Sequence, residues 1–174
     1  LVSHAPEGLL PTIRSRCRRL TLKPLGEAAL GSIVVERLPD LPPAERQALV
    51  GLAEGCPGRA LSLAASGGVQ VYRDLMQLLV RLPDLDVEQM HGFGERLARR
   101  ENAAAYQAWT DLLAWWLARL ARSAAGAGTP TEIVAGEAAL LQRLGRGGNL
   151  DRWAEVWEKV ARLFERADSV NLDR

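Results

Sequence analysis

From Lys23 onward, apolar side chains recur three and four residues apart in segments stopped by proline or glycine, and no stretch alternates apolar with polar residues. Such a period covers one face of a helix and cannot cover one face of a strand, which restricts the chain to helices packed on helices. The first expected helix covers 27–38, with Ala29, Ile33, Val34 and Leu38 on one face, and ends at Pro39. Pro42-Pro43 opens a second, in which Leu49, Leu52 and Ala53 share a face and Gly55 closes the end. A third runs from Pro57 through Ala60, Leu61 and Ala64 to Gly67-Gly68. Further helices are expected over 71–82, 87–99, 102–123, 132–144 and 150–167, the fourth of these eight interrupted by nothing but the fifth weakened by Gly92 and Gly94. The fold class is all-α, and 174 residues with 48% hydrophobic content are enough for a buried core.

The first 22 residues follow another pattern. Leu1 and Val2 read as the end of a strand, Pro6 and Gly8 as a turn, 9–14 as a short helical turn, and Leu20-Thr21-Leu22 as extended chain. Arg14, Arg16, Arg18, Arg19 and Lys23 face only Glu7 within residues 1–23, a local charge of +4 in a chain whose total is +1. The rest of the chain is therefore net acidic. That distribution excludes nucleic-acid binding through overall charge and suits a local phosphate contact. Guanidinium is the natural reader of phosphate, because it stays charged and presents paired donors; a solvated basic turn is the plain alternative.

Two elements carry a family resemblance. The stretch Leu1-Val2-Ser3-His4-Ala5-Pro6, followed by Leu9-Leu10-Pro11-Thr12-Ile13-Arg14-Ser15-Arg16-Cys17, resembles the sensor-1 strand, turn and Ser-Arg-Cys element of the AAA+ clamp-loader family. The stretch Gly55-Cys56-Pro57-Gly58-Arg59-Ala60-Leu61-Ser62-Leu63 resembles the sensor-2 element that begins the last lid helix. Its Pro-Gly form is similar to the non-hydrolysing, delta-prime-type branch, since tau/gamma-type ATPases present an arginine where Gly58 stands. Arg59 lies one position, about 100° of helix, away from that place.

The resemblance implies an organisation and a role. Residues 1–22 would be the end of a nucleotide-binding core, 23–68 a three-helix lid, and 69–174 a helical collar lacking its last helix, with apolar surface that another copy can cover. An N-terminal part is expected to precede Leu1. Arg16 would act in trans on ATP held by a neighbouring subunit, with Arg14, Ser15, Arg18 and Arg19 at the interface. The chain would bind no cofactor itself. Its implied partners are the tau/gamma and delta subunits, and, through the assembly, the sliding clamp and primed DNA. The implied location is cytoplasmic. A tau/gamma-type ATPase subunit and a helical interaction domain unrelated to replication remain as alternatives.

Other residues carry less. Cys17 and Cys56 lack metal-ligand spacing and are expected to be mostly buried free thiols. His4 stands where active relatives place a small polar residue, and His91 reads as structural. Trp109 and Trp116, and Trp153 and Trp157, have the spacing of core residues more than of a base-stacking platform. Arg59 is expected to be exposed, and the acidic residues to be solvated helix charges. No apolar run approaches the ~20 residues of a membrane span.

Overall fold

The computed structural model describes residues 5–18, 20–84, 86–97, 99–126, 131–146 and 150–169. Among the described residues it contains nine α-helices, two short 3-10 turns and no strand. The expected strand at Leu1 and Val2, His4, Arg19 and the last five residues lie outside them.

An arm comes first. The 3-10 turn Pro6–Gly8 leads into α1, Pro11–Arg16, which buries none of its residues. Leu10, Leu20 and Leu22 are 66%, 84% and 85% exposed, so this segment contributes nothing to the core.

Three helices follow. In α2, Glu27–Arg37, an acid in the first turn and a base in the last oppose the helix dipole favourably. It stops at Leu38, whose helical conformation Pro39 disfavours. Prolines open α3, Pro43–Ala53, and α4, Pro57–Ala65, where a missing N–H is harmless and φ is already helical. Between them Glu54 and Gly55 adopt φ of 47° and 81°. Gly55 is required there, because a Cβ would stand 2.6 Å from the Leu25 carbonyl oxygen. Leu30, Val34, Ala53 and Ala60 form the small core shared by α2, α3 and α4.

The main core adjoins this one along α3. Ala48, Leu49 and Leu52 of α3 and Leu63 of α4 join one cluster with Tyr72, Leu75 and Met76 of α5, Gly68–Val80. The long α7, Ala103–Ala124, completes it with Leu112, Trp116, Leu117 and Leu120. Around α7 stand α5, α6 (Val87–Leu97), α8 (Glu137–Gly145) and α9 (Leu150–Ser169). Of the three short helices, α3 and α4 rest on α5 and share its core cluster with α7, which supplies the burial that a unit of that size lacks alone.

The helix expected over 132–144 begins five residues late, at Glu137. Gly136 holds φ at 90°, which no helix interior accepts. Side chains bind the amides of this bend: Glu132 Oε1 accepts from the N–H of Gly136 at 2.7 Å, and Glu137 Oε2 from that of Ile133 at 2.9 Å. Both cysteines are exposed rather than buried, because Cys17 belongs to the unpacked arm and Cys56 to the turn before α4.

Candidate functional site

The arm gathers the basic residues. Arg14 and Arg16 occupy the last turn of α1, and Cys17 ends it in an extended conformation. Arg14 Nη1 lies 3.5 Å from Glu7 Oε2, an exposed pair of small energetic weight. Ser15 Oγ donates to the Thr12 carbonyl at 3.2 Å, so the hydroxyl secures the helix end. Arg16 and Arg18 are exposed. Within the arm two guanidiniums are open to an anion on another molecule, and no described carboxylate or thiol forms a reaction site with them. Among the described residues no group of three or more His, Cys, Asp or Glu is placed to hold a metal ion.

The start of α4 places the second motif. A Cβ at Gly58 would meet nothing within 4 Å, whereas Arg59 turns inward. The Arg59 guanidinium lies 5.7 Å from the centre of the Trp115 ring, and its Nη2 is buried without a hydrogen-bond partner. The expectation of an exposed Arg59 is therefore corrected. Its aliphatic stem and planar head cover an indole, an arrangement arginine favours.

A buried polar group was not anticipated from the sequence. Glu137, expected to be a solvated charge, is 1% exposed, and Arg119 is 7% exposed. Arg119 Nη2 stands 3.1 Å from Glu137 Oε1 and donates to the Thr131 carbonyl at 2.8 Å. The Tyr72 hydroxyl donates to the same Glu137 oxygen at 2.6 Å. Burial first, and the neighbouring Glu137 charge second, push the Tyr72 phenol far above its ordinary range. Trp115 seals this group, its ring 4.7 Å from the Arg119 guanidinium and edge-on to Tyr72 at 6.0 Å. One signal for it existed: Arg119 falls four residues after Trp115, between Trp116 and Leu120, on the apolar face of α7.

Beside this group opens a cleft of about 390 Å³. Leu25, Leu30, Val50 and Ile133 form its apolar walls, Glu27, Glu54 and Glu132 bring carboxylates, and Arg119 reaches it from α7.

The tryptophans form no common platform. Trp115 and Trp116 are buried; Trp109 is half-buried between Phe93 and Phe164, at 6.0 and 5.7 Å. Trp153 donates its indole N–H to the Leu144 carbonyl at 3.2 Å. Trp157, expected in the core, is 43% exposed, because α9 turns only one face to α7 and Trp157 sits beside that face. His91 is exposed on α6.

No helix among the described residues is long and apolar enough to cross a membrane. Comparison with protein-family profiles, with curated proteins and with solved structures finds no match to this chain.

Proposed function

We propose that this chain is the lid-and-collar portion of a delta-prime-type subunit of the bacterial clamp loader, a cytoplasmic assembly of the DNA polymerase III holoenzyme. In this reading it is a structural subunit that binds no nucleotide through the residues described. It packs with tau/gamma and delta subunits and supplies Arg16 to ATP held by a neighbour while the sliding clamp is opened on primed DNA. Arg14, Ser15, Arg18 and Arg19 line that contact.

The observation that carries the reading is the exposure of Arg16, on an arm whose helix buries nothing. An arginine that completes another subunit's site must leave its own packing free, and this one does. Glycine at position 58 itself supports a lid without the tau/gamma-type arginine. Inward packing of Arg59 supports it further, since that guanidinium is committed to Trp115.

The chemistry is charge stabilisation. During phosphoryl transfer, negative charge spreads over the equatorial oxygens, and a guanidinium placed there from outside lowers the barrier. Such arginines contribute about 10³–10⁵ in rate in nucleotide hydrolases. Arg16→Ala in the reconstituted assembly is expected to lower clamp-stimulated ATP turnover sharply while size-exclusion chromatography still shows the whole complex. Unchanged turnover in an intact complex overturns the trans role. ATP hydrolysis by the full-length subunit alone favours the tau/gamma-type reading instead.

A further inference from the structure

We propose that the cleft between α2, α3 and the 131–133 segment receives the basic arm of a second copy of this chain, an arm leucine entering the cleft while Arg18 and Lys23 meet its carboxylates. This goes beyond the clamp-loader reading: it uses 18–23 rather than Arg16 and involves no nucleotide.

The cleft asks for an occupant of defined chemistry. Its walls are Leu25, Leu30, Val50 and Ile133, and its volume, about 390 Å³, lies in the range of ligand sites. Arg119 lines it at 7% exposure, with Nη2 committed to Glu137 and Thr131 but with a buried Nε that has no acceptor. A free anion would meet Glu27, Glu54 and Glu132, and the Arg119 charge is already answered by Glu137. An apolar side chain flanked by cations avoids that penalty, the cations adding to the 4.0 Å Arg122–Glu54 pair and to Glu132, whose Oε1 already accepts from the Gly136 and Ala138 amides.

The arm has those features. Leu20 and Leu22 are 84% and 85% exposed, and Arg18 and Lys23 flank them, also exposed. Within residues 1–23 the chain is net basic, and beyond them it is net acidic. The arm of the same molecule does not occupy the cleft, since Leu20 and Leu22 are both left exposed. Leu25 donates to the Gly55 carbonyl at 2.9 Å, and Pro24 packs against Gly55.

Sedimentation velocity of the purified chain over a range of concentrations tests this. The expected result is a reversible dimer that weakens with added salt. Arg18→Glu and Glu54→Lys are each expected to weaken association at least about tenfold, an effect of the size of one charge reversal. Mixing these two variants is expected to restore it, because every arm then faces a cleft of opposite charge. Glu27→Lys serves as a second cleft variant, and circular dichroism confirms folding of each. A strict monomer at all concentrations overturns the proposal, as does a dimer indifferent to both reversals or a mixture that fails to recover.

Discussion

Arg119 and Glu137 face each other at 3.1 Å with side chains only 8% and 0% exposed, and the Tyr72 hydroxyl completes the contact from α5. Three helices and the 131–133 segment are therefore joined through one carboxylate. Desolvating two charges is expensive, and this arrangement repays it by giving both Glu137 oxygens hydrogen-bond donors. Glu137→Ala would strand the Arg119 charge, the Tyr72 hydroxyl and the Ile133 amide together. The expected loss is about 3–5 kcal/mol in urea unfolding. The combined replacement Tyr72→Phe, Arg119→Met and Glu137→Leu should cost less than Glu137→Ala alone, because it leaves no buried charge behind.

The same contact sets a response to alkali. An unfolded chain releases the tyrosine proton near pH 10, whereas the folded chain holds that of Tyr72 to much higher pH. Above pH 10 the unfolded state therefore binds fewer protons than the folded state, and stability falls by up to about 1.4 kcal/mol per pH unit from this group. Below pH 10 the group has no effect on the slope. Urea midpoints measured for the wild type and Tyr72→Phe across this range should converge as pH rises; a constant difference would refute the assignment.

Gly55 is the pivot between α3 and α4. Gly55→Ala forces a side chain onto φ of 81° and against the Leu25 carbonyl at 2.6 Å. The backbone cost alone is about 1–2 kcal/mol. A melting temperature unchanged from wild type would show that this turn rearranges freely.

Two tryptophans should behave in opposite ways. Trp116 is 0% exposed at the centre of α7, and Trp116→Ala is expected to cost about 3–5 kcal/mol. Trp157 is 43% exposed, and Trp157→Ala should stay within about 0.5 kcal/mol of wild type. Paired denaturation curves check both.

Helix type and order were legible wherever apolar spacing and punctuation agreed. Pro43, Pro57 and the Glu54-Gly55 turn mark ends that any reading of the chain would place. The start of α8 was hidden, since 132–136 have helical spacing while the left-handed Gly136 and the side-chain bonds to the Ile133 and Gly136 amides hold them in a turn. The buried Tyr72, Arg119 and Glu137 were hidden for a related reason: their polar groups are answered across distant segments, which spacing along one helix cannot register. Trp157 was misplaced because an i, i+4 pair states that two residues are neighbours, without stating how wide the covered face is. The arm was the reverse case. Its basic character and its short helical turn were visible at once, and α1 buries none of its residues.

The proposed trans placement of Arg16 can be measured through its neighbour in sequence. Cys17 is exposed, and with the also exposed Cys56 replaced by serine it takes a single spin label. In the reconstituted clamp loader, with Mn(II) and nucleotide bound in the adjacent subunit, the label spectrum should broaden strongly, and the broadening should vanish when nucleotide is removed. An unbroadened label in a complete, nucleotide-loaded assembly would place Arg16 away from the neighbouring phosphates and contradict the account.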